Sequence, residues 1–371
     1  MKVKLGDLTK IKTGKLDANA SSEDGQYPFF TCSREPLKIS NYSYDCECVL
    51  VAGNGDLNVK YYNGKFDAYQ RTYIIEDNSG GQLYMPYLYY FMEGYIKELR
   101  RQAIGGVIKY IKLGNLTDAL IELPSVDAQK KIVNILKKAK QLLSLSNNEI
   151  LKLDELVNAR FVELFGDPYV NPLKWKKLKI KDAVTIEPQN GLYKPQSDYV
   201  TDGTGIPILR IDGFYDGMVT DFASLKRLKC SETERQRYLL LEDDIVINRV
   251  NSIEYLGKCA HIKELLEDTV YESNMMRMHF DPEYYNPVYI CKLLCSQFIY
   301  DQIVNHAKKS VNQASINQKD VLDFNIYQPP LDLQNEFADF VHQVNKSKVA
   351  IQKALDKTQM LFDSLMQEYF G

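Results

Sequence analysis

Side chains able to read the edges of base pairs follow several short apolar runs in this sequence. The run VLVAGNGD at 49–56 ends in a Gly/Asn segment, and DDIVINRVNS at 243–252 ends in an Arg/Asn/Ser segment. In the major groove, an arginine can donate two hydrogen bonds to guanine, and an asparagine or glutamine can form two with adenine. Lysine, tyrosine and serine can hold phosphates. Because recognition residues usually lie in loops, these residue types at predicted strand ends indicate sequence reading in duplex DNA.

The candidate DNA-contacting residues form two groups, one in each half of the chain. The first group is Arg34, Asn54, Tyr61, Tyr62, Gln70, Arg71 and Lys109. The second group is Gln189, Asn190, Tyr193, Lys194, Arg210, Asn248, Arg249, Asn251, Arg277, Asn312 and Gln313. For any one of these residues a solvated loop position is the simpler interpretation, so the hypothesis depends on the whole set.

No catalytic residue and no metal site are predicted. The sequence lacks the GxxxxGK[ST] phosphate loop, the GxSxG and HExxH motifs and the kinase set. The spacing of the seven cysteines argues against a disulfide framework, and Cys32, Cys46 and Cys48 have no fourth metal ligand at good spacing. The formal net charge is -3, so any DNA contact must depend on where charge is placed. No run approaches the roughly 20 apolar residues that span a bilayer, and no signal-peptide pattern occurs, so we expect a cytoplasmic protein.

An internal repeat organises the chain. A shift of 205 residues places 105–166 over 310–371 without a gap. Matched pairs include Ile111/Ile316, Asp118/Asp323, Pro124/Pro329, Asp127/Asp332, Gln129/Gln334 and Gly166/Gly371. Each copy opens with a proline turn, LPSVDAQ or PPLDLQ, which ends a strand and favours the start of a helix. A shorter echo relates KLGDLTKI at 4–11 to KIKDAVTI at 179–186.

Both copies of the repeat predict a helix of about 40 residues with one apolar stripe. Positions taken in alternating steps of four and three from Ile132 are apolar in eight of ten cases, and so are those from Phe337. Steps that average 3.5 residues are typical of a seam facing another helix. The predicted helix-pairing residues are Ile132, Leu136, Leu143, Ile150, Leu153, Val157, Leu164, Phe337, Val341, Val344, Ile351, Leu355, Phe362 and Leu365. Antiparallel pairing of the two helices uses both stripes most simply; the alternative is that each helix packs only on its own domain.

The sequence therefore predicts a mixed α/β protein with pseudo-two-fold organisation. The predicted domains are a globular unit at 1–123, a central spacer helix at 124–166, a second globular unit at 167–328 and a C-terminal spacer helix at 329–371. Within the units we expect a hairpin at 60–75 that turns at Asn63-Gly64, and equivalent amphipathic helices at 85–101 and 286–304.

In these motifs and their order, the chain resembles the specificity subunits of Type I restriction-modification enzymes along nearly its full length. The segments that carry the resemblance are KLGDLTKI, VLVAGNGD…YNGKFDAYQRTYII, IPILRIDGF, EDDIVINRVNS…LGKCA, ESNMMRM, the two proline-glutamine helix starts and the helix ends FVELFGDP and MQEYFG. The resemblance implies two target-recognition domains separated by an antiparallel coiled coil, each reading one half of a bipartite asymmetric site in double-stranded DNA.

The resemblance also implies a chain that is not itself an enzyme and binds no cofactor. Two methyltransferase subunits and restriction subunits would join it, and S-adenosylmethionine, ATP and Mg would be held by those partners. No membrane association is expected. The alternatives are a coiled-coil adaptor without DNA binding, the specificity part of another restriction-modification type, or a fused methyltransferase or nuclease. The last would need an N/D-P-P-[FYW] motif, and Asn171-Pro172 and Asn286-Pro287 lack the second proline.

Overall fold

The computed structural model describes residues 2–215, 217–219 and 221–371. The chain forms two compact units: unit 1 contains residues 1–150 and 350–371, and unit 2 contains residues 151–349. The predicted long helices are present as α4 (Val126–Phe165) and α9 (Leu331–Phe370). Each helix therefore contributes one part to unit 1 and the other part to unit 2.

Unit 1 is built on a main sheet of six strands and has two further strands that pair with each other. Its strands are β1 (Lys2–Lys4), β2 (Thr9–Thr13), β3 (Tyr27–Phe30), β4 (Leu37–Ile39), β5 (Tyr44–Ala52), β6 (Val59–Ala68), β7 (Thr72–Asp77) and β8 (Leu120–Glu122). Its short helices are α1 (Leu5–Leu8), α2 (Met85–Gln102) and α3 (Leu113–Thr117). The sheet order is β2-β7-β5-β6-β3-β4, and β1 pairs with β8. The central strand β5 is buried on both faces, since Val49 and Val51 belong to the core under α2 whereas Cys48 and Leu50 belong to the core opposite.

The hairpin predicted at 60–75 is wrong. Strand β6 runs without a break through Asn63 and Gly64, which pair with Glu47 and Cys46 of β5. Strands β6 and β7 do not pair with each other, because each pairs with a different edge of β5. Gly64 has a φ of +140°, so the strand passes through a backbone conformation that suits glycine at this point.

In its described residues, unit 2 contains a main sheet of six strands together with smaller sheets. Its strands are β9 (Lys176–Lys179), β10 (Val184–Asn190), β11 (Tyr199–Val200), β12 (Ile206–Leu209), β13 (Phe214–Tyr215), β14 (Gly217–Val219), β15 (Arg227–Leu228), β16 (Ile245–Asn248), β17 (Val250–Asn251), β18 (Cys259–His261), β19 (Val270–Tyr271), β20 (Met275–Phe280), β21 (Lys308–Lys309), β22 (Ala314–Ser315) and β23 (Asn325–Gln328). Its helices, besides its parts of α4 and α9, are α5 (Glu232–Tyr238), α6 (Pro287–Leu294), α7 (Gln297–His306) and α8 (Gln318–Leu322). The main order is β10-β20-β16-β18-β14-β13, with smaller sheets β11-β15-β12-β19, β17-β22-β21 and β23-β9. The helix predicted at 286–304 is interrupted at Cys295 and Ser296, so it forms α6 and α7.

The 205-residue repeat reappears as repeated contacts. Lys4 pairs with Asp118 in unit 1, and Lys179 pairs with Asp323 in unit 2. The buried amides of Gln129 and Gln334 make equivalent bonds. Gln129 accepts from the N–H of Tyr84 and donates to the carbonyls of Gln82 and Pro124. Gln334 accepts from the N–H of Asn286 and donates to the carbonyls of Tyr284 and Pro329. In both units this glutamine joins the first turn of the long helix to the globular part.

The predicted antiparallel pairing of the long helices is confirmed within unit 2. Phe337, near the start of α9, lies 5.6 Å from the ring of Phe165, near the end of α4. Later on α9, Lys348 donates to Asp154, earlier on α4, at 2.6 Å. Residue numbers therefore rise along one helix as they fall along the other. In unit 1, residues from the start of α4 and the end of α9 share one hydrophobic core.

The apolar stripe predicted from the sequence is the least exposed face of each helix. All fourteen predicted helix-pairing positions are buried or half-buried, whereas most positions between them are exposed. The stripe also packs on a globular part: Phe362 and Leu365 of α9 lie against the unit 1 core under α2. The stripes thus serve both purposes that the sequence left open, helix pairing and attachment to the units.

All seven cysteines are free thiols. Within the described ranges, no group of three or more His, Cys, Asp or Glu side chains is placed to hold a metal ion. None of the helices in the part of the chain that the structure describes combines the length and apolar character that a membrane crossing requires.

Candidate nucleic-acid interface

Three segments of unit 1 meet beside the end of β5. The unit 1 loop cluster consists of residues 53–56, 69–71 and 104–110. The N–H of Gly53 donates to the carbonyl of Arg71 at 2.8 Å, and the N–H of Gly55 donates to the carbonyl of Lys109 at 3.0 Å. These backbone bonds join a loop after the central strand, a strand connection and a hairpin after α2. They bring the predicted residues Asn54, Arg71 and Lys109 together.

Unit 2 repeats this arrangement beside the end of β16. The unit 2 loop cluster consists of residues 249–251, 273–274 and 308–315. The N–H of Arg249 donates to the carbonyl of Asn274 at 2.9 Å. The carbonyl of Arg249 accepts from the N–H of Ile316 at 3.0 Å, as the carbonyl of Gly53 accepts from Ile111 at 2.9 Å. This cluster contains the predicted residues Arg249, Asn251, Asn312 and Gln313.

Two glycines permit the close backbone approach in unit 1. A Cβ at Gly53 would lie 2.4 Å from the carbonyl oxygen of Arg71. Gly105 has a φ of +116°, and a Cβ there would lie 2.6 Å from the carbonyl oxygen of Ile108. Residues with side chains would force these segments apart, so the glycines of GNGD and IGGVIK set the shape of the cluster.

Cationic side chains are exposed on both loop clusters. In the described ranges, no carboxylate pairs with Arg71 or Lys109 of unit 1, or with Lys308 or Lys309 of unit 2. The guanidinium of Arg249 is half-buried and donates to the carbonyl of Ser273 at 3.1 Å, which fixes its direction. A concentration of unpaired cations on a chain of net negative charge favours a polyanionic partner at these two places.

Other cations at unit 1 are neutralised by a neighbour. Arg34 and Arg100 both donate to the carboxylate of Asp56, at 3.0 and 3.1 Å. The hydrogen bond from Arg34, with the charges of both arginines, lowers the pKa of Asp56. Of these three residues only Arg34 is a predicted DNA contact, and its guanidinium is held within this triad.

Several of the predicted DNA-contacting residues of unit 1 form contacts within the fold that give them a structural role. The hydroxyl of Tyr61 donates to Glu47 at 2.7 Å, and the amide of Gln70 donates to Asp17 at 2.6 Å. The ring of Tyr62 lies 5.1 Å from that of Phe30 in the core behind the sheet. DNA contact by these three residues stays a prediction.

Most of the predicted DNA-contacting residues of unit 2 that lie outside its loop cluster also have partners within the fold. Lys194 pairs with Glu234 at 2.9 Å, which raises its pKa, and Arg210 lies between Asp212, Glu272 and the hydroxyl of Tyr199. Gln189 and Asn190 belong to β10 and pair with β20. Tyr193 is different, because its side chain is 77% exposed. For these five residues too, DNA contact stays a prediction.

Burial counts against base contact by two predicted residues. Asn248 is fully buried at the end of β16. Arg277 is nearly buried on β20 and donates to the fully buried carboxylate of Asp244 at 3.0 Å. The ion pair with Asp244 gives Arg277 a role in the sheet interior. The buried amide of Asn248 has no hydrogen-bond partner among the described residues. DNA contact by both residues stays a prediction.

Comparison with known proteins gives these loop clusters their context. The sequence model of the family described as "Type I restriction modification DNA specificity domain" matches residues 1–155 and 172–358.

The chain belongs to this family.

The chain is also similar to individual proteins named as specificity subunits. The chain is 29% identical to the Type I restriction enzyme EcoDI specificity subunit of Escherichia coli, over 98% of this chain and 85% of that protein. It is similar in fold to the Type I restriction-modification system S subunit from M. genitalium, with a TM-score of 0.63 and 15% identity over 100% of this chain and 96% of the other. It is likewise similar in fold to a chain from a structure of the assembly of the type I R-M system, with a TM-score of 0.60 and 15% identity over 100% of this chain and 97% of the other. The chain is thus a DNA-specificity subunit of the Type I restriction-modification class.

Sequence reasoning missed several residues of this specificity subunit's loop clusters. Lys308 and Lys309 flank the selected Asn312 and Gln313, and they are exposed on the same hairpin. Val107 and Val311 could not be predicted as contacts from residue type, because side chains that hydrogen-bond to bases are polar. The available signal was the 205-residue repeat, which aligns AIGGVIKYIK at 103–112 with KKSVNQASIN at 308–317.

Proposed function

We propose that this specificity subunit reads a bipartite, asymmetric site in duplex DNA, with one half read by each loop cluster. The observation that carries the proposal is the duplicated backbone framework with different side chains on it. Unit 1 presents Asn54, Arg71 and Lys109, whereas unit 2 presents Arg249 and a hairpin with Asn312 and Gln313. Because Arg favours guanine and Asn or Gln favours adenine, the different positions of these residues in the two clusters are expected to select different base sequences.

The long helices connect the two reading surfaces. Each helix has 40 residues and so a length of about 60 Å, and each belongs partly to both units. We therefore expect the pairing of α4 with α9 to fix the permitted gap between the half-sites. We also propose the four domain bounds predicted from the sequence and a cytoplasmic location for the protein.

Catalysis is assigned to partner subunits. Two methyltransferase subunits would use S-adenosylmethionine, and restriction subunits would use ATP and Mg, while this chain supplies recognition only. An adenine must be turned out of the helix before its exocyclic amine can be methylated, so the reader must position the duplex beside the partner's active site.

The test compares two exposed residues, one from each loop cluster. The complex of the full chain with its methyltransferase subunits is assayed for methylation of a library of sites. Arg71→Ala is expected to relax one base position in one half-site, and Gln313→Ala one position in the other. A lost two-bond contact reduces discrimination by about 1–3 kcal/mol. Lys97→Ala, which removes an exposed cation from α2 outside the cluster, is the control.

The outcomes separate the candidate functions. Relaxation confined to a different half-site for each variant supports the proposal. A complex that methylates its site with unchanged base preference after both substitutions contradicts the assignment of the clusters. A chain that assembles with partners without conferring any sequence preference would instead be an adaptor.

A further inference from the structure

Each loop cluster carries an apolar side chain in full contact with solvent. Val107 is 104% exposed and Val311 is 98% exposed, the highest values among the large apolar residues of the described ranges. Next to Val107, Ile108 is 63% exposed. Single exposed apolar residues are ordinary on protein surfaces. Two at equivalent tips of two unlike units are not explained by the packing of either unit.

Both tips are held on closed hairpins rather than on loose loops. In unit 1, Ile104 and Tyr110 exchange N–H to carbonyl bonds of 3.0 and 2.9 Å below the tip. In unit 2, β21 pairs with β22, and Ser310 donates its N–H to the carbonyl of Gln313 at 2.8 Å. Hydrogen bonds at the base of each hairpin keep the valine projecting away from its unit.

The surroundings of each tip select a polyanionic partner. Lys109 lies two residues from Val107, and Lys308 and Lys309 lie two to three residues from Val311; all three ammonium groups are exposed. A single valine offers too little apolar area for a stable protein interface, which needs on the order of 1,000 Å². An apolar side chain close in the chain to exposed cations fits a nucleic-acid groove, where phosphates line the walls and base pairs form the floor.

We propose that Val107, with Ile108, and Val311 are wedges that press against or between base pairs of the half-site read by their own unit. The inference rests on the proposed function and adds a mode of DNA contact to it. Apolar side chains inserted at a base step unstack it and bend the duplex. Unstacking beside the target adenine would lower the cost of turning that base out for the methyltransferase.

The experiment follows base unstacking with 2-aminopurine, an adenine analogue that fluoresces more strongly when it is unstacked. The complex of the full chain with its methyltransferase subunits is mixed with duplexes that carry the analogue at one position in either half-site. We expect enhanced fluorescence at one or more positions in each half. Val107→Ser should reduce the enhancement about fivefold in one half-site only, and Val311→Ser in the other only, since serine loses the apolar contact.

Controls separate a wedge from an electrostatic contact and from a folding defect. Val107→Ser should weaken binding without changing the dependence of affinity on salt, whereas Lys109→Gln should reduce the salt slope by about one. Leu120→Ser, which alters a 53% exposed apolar residue on β8 outside both clusters, should behave as the parent protein. The melting temperature of each variant checks folding, and we expect no change because both valine tips are exposed.

Three results would overturn the inference. If Val107→Ser and Val311→Ser bind and unstack the site like the parent complex, the tips are not wedges, although the proposed function stands. If either substitution alone affects both half-sites equally, the assignment of one tip to one half-site is wrong. If the parent complex shows no preference for any DNA site, the proposed function itself fails.

Discussion

Replacing Gln334 with alanine is expected to destabilise unit 2 strongly. The Gln334 side chain is fully buried and makes three hydrogen bonds, of 2.9, 2.9 and 2.8 Å, to the backbone of Asn286, Tyr284 and Pro329. The substitution Gln334→Ala leaves one N–H and two carbonyls inside the protein without this partner.

The magnitude follows from the number of groups left without a partner. A buried donor or acceptor that loses its hydrogen bond costs about 1–3 kcal/mol, and the carbonyls retain some capacity to relax. We therefore expect Gln334→Ala to lower the free energy of unfolding by about 2–4 kcal/mol. Gln129→Ala should have a similar effect on unit 1, because Gln129 makes the equivalent three bonds.

Urea denaturation followed by tryptophan fluorescence measures the effect in unit 2. The only tryptophan, Trp175, belongs to that unit, and its indole N–H donates to the carbonyl of Phe165 at 2.9 Å. Gln343→Ala, which alters an exposed glutamine on the unit 2 part of α9, is the matched control. If Gln334→Ala and Gln343→Ala shift the Trp175 transition equally, the account of the glutamine as an anchor of the long helix is refuted.

Two further predictions concern unit 2. Phe337→Ala should cost about 3–5 kcal/mol in the same urea assay, because Phe337 is fully buried against α4; a loss below about 1 kcal/mol would contradict the packing described. The backbone N–H of Ser231, with Lys194, lowers the pKa of Glu234 from 4.5 to about 2, so the stability due to this carboxylate is present above pH 4.5 and is lost as pH falls towards 2. Glu234→Gln should therefore reduce the change in the free energy of unfolding with pH between pH 4.5 and 2. If that change is the same in the variant, the hydrogen bonds of Glu234 to Ser231 and Lys194 do not contribute to acid sensitivity.

The long helices could be predicted from the sequence because their pattern is regular over many turns. The stripe at steps of three and four residues needs no knowledge of the rest of the fold. The matched Gln129 and Gln334 were visible as a repeat, but their role was not, since two of the three bonding partners of each glutamine lie 45 or more residues away in the chain. The local pattern therefore predicts the long helices, whereas the hydrogen bonds of the two glutamines become visible only in the folded structure.

The errors arose where distant pairing outweighs local preference. Asn63-Gly64 is a strong turn signal, yet eight residues of β6 pair with β5 and extend the strand through it. The contact of Arg277 with Asp244 could not be predicted either, because Asp244 lies 33 residues away and no local pattern connects the two. The exposure of Val107 and Val311 could not be predicted either, because it depends on hairpins that are closed by backbone hydrogen bonds.

The central claim is that each unit reads its own half of one DNA site. Exchanging residues 1–123 for the corresponding segment of a relative with a different target tests it most directly, with methylome sequencing of the host as the measurement. We predict that one half-site changes to that of the relative while the other half-site and the gap are retained. Alteration of both half-sites, or of neither, in a host that still methylates its DNA would contradict the claim.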